Sequence, residues 1–347
     1  MNKIVTILTI LCLLISLTNC KSNKMEKEYI WMVSADAAKG FPATFHYGYL
    51  GDTEIRGKGV LGYGWGLGGT LTGSISEKRP LPKQLDLVWM SYAENQFYEG
   101  HFELDHKKIA AVFEKGYKSN TDKGVIMDHN FSFRINVAPG GTVAIWLMGQ
   151  YGFQREVGFY QAKKTTVVWK DFLPNGMQDS VLYVSSRLKN HVTKKQLEKY
   201  QSEGIPYKKW ENYRQEFEWK VTIKGSPRVI ILNTETFNGE QYTLKDDFLN
   251  IDKSVIKAAL PIEFGMQWEE DPIKEEMFTA SLKIKENDFK KLTMLFKEND
   301  SKGHFVIAPY IDKNVKKVKL FLVTGTEKQA LELEENTVRH FSDYYKK

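Results

Sequence analysis

Apolar and polar residues alternate with a period of two over much of this chain, most clearly near its middle. Phe131, Phe133, Ile135 and Val137 share one side of an extended segment, Pro139-Gly140-Gly141 turns it, and Val143, Ile145 and Leu147 return. Successive side chains of a strand point to opposite faces, so this spacing predicts a half-buried antiparallel hairpin. A second hairpin is predicted over residues 305–311, a turn at Asp312-Lys313-Asn314, and residues 315–323. Ahead of each hairpin the period changes to that of a helix. Ile109, Val112 and Phe113 form one face between the capping residue Asp105 and the stop at Gly116. Phe289, Leu292 and Phe296 form another after Asn287, a residue type that can cap.

These matched units belong to a longer series in fixed order. Tyr29-Ile30-Trp31 is echoed by Phe217-Glu218-Trp219, and Gly40-Phe41-Pro42 by Gly225-Ser226-Pro227. Leu81-Pro82 stands as far before Trp89 as Leu260-Pro261 does before Trp268, and a strand follows each, at 102–104 and 282–284. Self-similarity on this scale predicts an internal duplication with diverged loops. Between the copies, Val167-Val168-Trp169 and residues 181–184 read as strands. Thr193-x-x-Gln196 then fits a capping box, with Leu197 and Tyr200 on one face and Gly204 and Pro206 closing the helix. The expected fold is therefore α+β and mainly antiparallel β. It has two tandem β-rich, sandwich-like domains, each with one packed helix, joined by a helical linker. The first repeat is placed at 29–166, the linker at 167–215 and the second, diverged repeat at 216–347.

The N-terminus departs from this pattern. Lys3 precedes a mostly apolar run over residues 4–17, closed by Leu17-Thr18-Asn19-Cys20. A charged start, a short apolar core and a small-residue exit read as a secretory signal, and the run is too short to span a bilayer well. The exit cysteine resembles a bacterial lipoprotein processing site, although Asn19 departs from the usual residue before the cut. That reading makes 1–19 a signal peptide, Cys20 a lipid anchor and 20–28 a polar tether. Two acyl chains anchor stably where one binds marginally. The expected address is the outer membrane, facing the periplasm, because no acidic cluster follows Cys20.

Composition narrows the chemistry. The chain is 42% apolar, 27% charged and 13% aromatic, which suits a globular protein. Its net charge of +6 is spread along the chain. The densest basic run, 313–319, alternates with Val315 and Val318 as a strand's wet face would, so nucleic acid is not an expected partner. Cys12 lies in the signal and Cys20 would carry lipid. The folded body then has no thiol for a disulfide, a thiolate metal site or a cysteine nucleophile.

Residues 57–73 hold eight glycines, with Tyr63, Trp65 and Leu67 among them. Gly64-Trp65-Gly66-Leu67-Gly68-Gly69 matches G-x-G-x-x-G in form, but Pro80 and Pro82 follow instead of a helix, so a dinucleotide site is not expected. A glycine-flanked aromatic edge is expected instead. Tyr63, Gly64, Trp65 and Gly66 are the candidate binding residues, because the second copy lacks this segment. On a strand, His101, Glu103 and Asp105 would share one face and a metal could be imagined there. The matching stretch, Ser281-Leu282-Lys283-Ile284-Lys285, has no ligand types, and no metal or other cofactor is expected. No G-x-S-x-G or H-E-x-x-H occurs, and no catalytic residue is assigned.

Several of these segments carry a resemblance. Residues 81–89 (Leu-Pro-Lys-Gln-Leu-Asp-Leu-Val-Trp), Phe97-Tyr98-Glu99-Gly100, Val137-Ala138-Pro139-Gly140-Gly141 and residues 156–162 (Glu-Val-Gly-Phe-Tyr-Gln-Ala) resemble a bacterial lipoprotein family catalogued as domain of unknown function 2931. Gly64-Trp65-Gly66 and Gly40-Phe41-Pro42 fit it as well. The resemblance covers roughly 29–215 and is loose beyond. It implies a lipoprotein address and supplies no catalytic residue. The leading expectation is a non-enzymatic envelope lipoprotein, held on the membrane through acylated Cys20, that binds a protein or another envelope component. An immunity role against a delivered toxin would be one form of this. A hydrolase of envelope polymer or lipid and a structural spacer are the alternatives.

Overall fold

Long aromatic and β-branched runs dominate both halves, and each half folds them into the same two-sheet arrangement. The structure, a computed structural model, describes residues 27–55, 59–121, 124–150, 152–225, 227–244, 255–271, 276–312 and 315–340. The signal, Cys20, nearly all of the tether and the turn at 313–314 lie outside the described residues.

The first repeat contains β1 (Glu28–Ala37), β2 (Ala43–Leu50), β3 (Thr53–Glu54), β4 (Lys78–Pro80), β5 (Gln84–Ser91) and β6 (Gln96–Glu103). Helix α1 (His106–Lys115) follows, then β7 (Tyr117–Thr121), β8 (Gly124–Asp128), β9 (Phe131–Ala138), β10 (Thr142–Met148), β11 (Gln154–Gln161) and β12 (Lys163–Thr165). The linker holds α2 (Trp169–Phe172), α3 (Ser180–His191), α4 (Lys194–Glu203) and α5 (Lys209–Asn212). The second repeat contains β13 (Glu216–Ile223), β14 (Arg228–Thr236), β15 (Gln241–Thr243), β16 (Ile256–Ala259), β17 (Pro261–Asp271) and β18 (Glu276–Ile284). It ends with α6 (Phe289–Lys297), β19 (Lys302–Asp312), β20 (Val315–Thr324), β21 (Glu327–Ala330) and β22 (Leu333–His340).

Pairing follows one scheme in both repeats. A mixed sheet, β4-β1-β9-β10-β11 or β16-β13-β19-β20-β21, holds one parallel pair, β1 with β9 or β13 with β19. An antiparallel sheet, β12-β6-β5-β2-β3 or β22-β18-β17-β14-β15, packs over it. The residues matched along the sequence occupy equivalent places. The Trp31 indole N–H donates to the Pro80 carbonyl at 3.1 Å, and that of Trp219 to the Ala259 carbonyl at 3.2 Å. Trp89 stacks on Tyr98 and Trp268 on Phe278, each with ring centroids 5.5 Å apart. Phe113 of α1 sits 6.0 Å from Phe133, and Phe296 of α6 sits 6.1 Å from Phe305. All these rings are buried. A Trp or Phe in such a cluster stabilises by ~3–5 kcal/mol relative to alanine, which ties both helices to their sheets.

The repeats are joined edge to edge. β11 pairs with β15 at Gln154 and Gln241, so the first mixed sheet and the second antiparallel sheet form one ten-stranded sheet. Helix α1 is capped as the sequence predicts, with the Lys108 N–H donating to Asp105 Oδ1 at 2.9 Å. The capping box of Thr193 and Gln196 is present on α4. Three expectations are corrected. Residues 181–184 lie inside α3, where Asp179 caps the helix and Val184 is buried beside Met90 and Tyr92. Val167-Val168-Trp169 runs into α2 and is not a strand. A β-branched run there follows its caps and packing rather than its propensity. Asn287 does not cap α6. It lies in a short 3-10 turn, Glu286–Asp288, that leads into the helix.

Candidate functional site: the glycine-rich strap

The outer face of the first mixed sheet, away from its core, is polar. Ser34 and Asp36 of β1, Asn136 of β9 and Gln154 of β11 are all buried on that side. What covers them is the glycine-rich segment, which crosses the face as a strap and then runs along the free edge of β1. There Thr72 bridges Val33, and the Gly69 N–H donates to the Ala35 carbonyl.

The strap is fixed by its backbone. The N–H groups of Ala37, Gly62 and Tyr63 donate to Asp36 Oδ1 at 2.8, 2.9 and 3.1 Å, and that of Gly64 donates to Oδ2 at 3.2 Å. Burial pushes the Asp36 carboxyl above its ordinary value, while these four donors pull it back. The Gly66 N–H donates to Asn136 Oδ1 at 2.6 Å, and Asn136 Nδ2 donates to the Leu67 carbonyl at 2.7 Å. The Gly66 carbonyl accepts from Arg134 at 3.0 Å and from Gln154 Nε2 at 2.9 Å. Glycine is required at position 66. Its φ is +75°, and an added Cβ would lie 2.9 Å from the Cα of Gly239 in the other repeat.

Trp65 therefore points inward. It is half-buried against the second repeat's core, edge-on to Trp146 at 5.1 Å and tilted to Trp210 of α5 at 5.9 Å. Beside it, the Trp146 indole donates to the Asn238 carbonyl, and Arg214 pairs with Glu156 at 2.8 Å. Burial raises Glu156 to about 7, with Arg214 opposing the rise. Of the four candidate residues, Gly64, Trp65 and Gly66 serve this seam. Tyr63 is 73% exposed. The outward side of the strap continues through Leu67, Leu71 and Ile75, which are 40%, 44% and 76% exposed.

The other sequence candidates do not converge. His101 contacts Asp86 of the neighbouring strand, and Asp105 is taken up as the α1 cap. Among the described residues, no three His, Asp or Glu side chains gather to hold a metal ion. The G-x-G-x-x-G stretch leads into bends. A cavity of about 440 Å³ opens between α5 and α6, over Phe289 and Met294, and its lining holds one acid, Glu298, and no histidine. Asp36, Arg134, Asn136 and Gln154 were not singled out by sequence. Their alternation with core positions looks like a solvated sheet face, and the only signal against that was a glycine-rich segment able to lie on it.

No curated protein and no solved structure matches the chain. A family model described as Protein of unknown function (DUF2931) matches residues 18–208, which take in the first repeat, the strap and most of the linker. That is more than half of the chain, and the protein belongs to this family.

Proposed function

We propose that this is an envelope lipoprotein, held by acylated Cys20 on the periplasmic side of the outer membrane, that binds a protein partner through the outward side of its strap. One observation carries the binding reading. The strap is fixed from beneath by buried polar side chains, yet it presents Tyr63, Leu67, Leu71 and Ile75 to solvent. A contact surface that is already ordered loses little conformational entropy on binding, and exposed aromatic and aliphatic side chains on it are the usual sources of affinity. The reading is non-enzymatic because Asp36, Asn136 and Gln154 spend their hydrogen bonds on the strap.

A photo-crosslinking amino acid at Tyr63 or Ile75, in the full-length protein in its native cell, is expected to give a discrete envelope adduct. The same probe at Val125, which is 64% exposed on β8, is expected to give none. No adduct, or the same adducts from all three positions, overturns the binding site. The address is tested separately: Cys20→Ser should abolish fatty-acid labelling and release the protein from the membrane fraction, and unchanged fractionation overturns it.

A further inference from the structure

The second mixed sheet has an outer face of its own, and strand register shows what stands at each equivalent position. Trp219 matches Trp31, Phe305 matches Phe133, and Leu322 matches Leu147. Counting from these, Asp36, Arg134, Asn136 and Gln154 correspond to Lys224, Val306, Ala308 and Lys328. None of these four can hold a strap in the same way: two are apolar, and two are donors without an acceptor.

In place of the polar bed, this face has an apolar centre. Val306 and Phe321 stand in one row across the strands, next to Thr222, whose hydroxyl is hydrogen-bonded to His304 Nε2 at 2.7 Å, and Val323 and Ala308 lie in the rows beside them. All five are half-exposed. Lysines surround them. Lys220 and Lys328 end the row of His304 and Val323, Lys319 pairs with Ala308, Lys317 pairs with Tyr310, and Lys302 lies beyond. Lys328 lies over the Phe321 ring at 4.4 Å. Among the described side chains, the acids of this face are Glu216 and Glu218, at one corner on β13.

We infer that this face binds an extended, acidic segment of a partner protein, in the place where the first repeat carries its own strap. Two observations select that occupant. The equivalent face of the first repeat is covered by a single looped stretch of polypeptide, so this sheet geometry accommodates one chain segment. The apolar centre with a lysine border complements a strand that presents apolar groups inward and carboxylates outward, and such a border governs encounter and register. The inference is independent of the strap surface, because it concerns a different repeat and different residues.

The test places p-benzoylphenylalanine at Tyr310, which is 55% exposed, in the full-length protein in its native membrane. Expected is a protein adduct whose crosslinked peptide is net acidic. Its yield should fall at least about tenfold in the Lys317→Glu, Lys319→Glu double variant, and should be kept by Lys194→Glu on α4. The neutral Lys317→Gln, Lys319→Gln pair should give an intermediate yield, and it serves as the readout should charge reversal impair folding. A lipid adduct, a crosslinked peptide without net negative charge, a yield unmoved by either pair, or no adduct overturns the inference. Adducts from Tyr63 but none from Tyr310 would refute this face and leave the strap standing.

Discussion

The two mixed sheets share a backbone plan and differ most on their outer sides. Inward, the pairs Trp31 with Trp219, Phe133 with Phe305 and Phe113 with Phe296 keep type, burial and ring geometry. Outward, a bed of Asp, Asn, Arg and Gln faces one of Lys, Val and Ala. A core position is constrained by close packing, where a change of one methylene is felt. An outer position is constrained only by what lies on it. The polar residues of the first repeat's outer face bond the strap and the second repeat that press on it. The second repeat's face carries no such strap bed and is rimmed by lysine.

That contrast can be broken most severely at the contact between the repeats. Gly66→Ala would drive a methyl group into the Gly239 backbone at a φ of +75°. Strain of this kind together with overpacking costs ~3 kcal/mol or more, read as a lowered urea midpoint. Gly225→Ala, with φ +92° and open space around it, should cost only ~1 kcal/mol. Equal losses would mean that the seam between the repeats does not constrain the fold.

Asp36→Ala comes next. It would strip the acceptor from four backbone N–H groups beneath the strap, and removing a buried charged acceptor costs ~2–3 kcal/mol. Its register counterpart, Lys224→Ala, touches an exposed side chain and should stay within ~0.5 kcal/mol. Urea unfolding of both variants measures the difference between the beds directly. A loss at Lys224 matching that at Asp36 would sink the assignment of the strap to one repeat alone.

The seam also sets a pH dependence. Burial lifts Glu156 to about 7, and burial together with Glu263 opposite lifts Glu235 to about 7, from an ordinary 4.5. A raised carboxyl favours the folded state most when protonated. Its contribution is complete below pH 4.5 and is lost as pH rises through about 7. Thermal midpoints should therefore fall from pH 5 towards pH 8, and Glu235→Gln should flatten the fall. A rise over that interval would reverse the sign argued here.

The core was the more legible part of this molecule. Period-two runs placed β9 and β10, the helical stripe placed α1, and the ordered echoes from Tyr29 to Trp268 marked equivalent strands. These signals are local, because burial acts on each strand through its own alternation. The strap's bed was not legible. Asp36 meets Gly62 and Gln154 meets Gly66, and a polar residue on an alternating strand looks the same whether water or backbone lies above it. Residues 181–184 misled for a related reason. Their β-branched character argued for a strand, and the Asp179 cap together with packing on Tyr92 decided for a helix. Trp65 is a candidate binding residue in the sequence because the second copy lacks its glycine-rich segment. Those glycines let the backbone approach Gly239 and turn the indole inward.

The smallest effect separates the linker from the repeats. Gly40 and Gly225 hold the same turn, with φ of +83° and +92°. A Cβ on Gly40 would meet the Tyr200 hydroxyl at 2.7 Å and Gln196 Nε2 at 2.8 Å, whereas one on Gly225 meets nothing within 4 Å. The Tyr200 hydroxyl donates to the Gly40 carbonyl, and its ring stacks on Phe41 at 4.8 Å. Both alanine variants therefore carry the same backbone strain, and Gly40→Ala alone must also displace α4. Because the displaced groups are flexible side-chain ends, the excess should be about 1 kcal/mol, near one hydrogen bond. Removing both contacts in Tyr200→Ala, Gln196→Ala should make Gly40→Ala and Gly225→Ala equal in a mutant cycle. An excess that survives without Tyr200 and Gln196 would place the constraint within the first repeat and release the linker helix from any part in holding it.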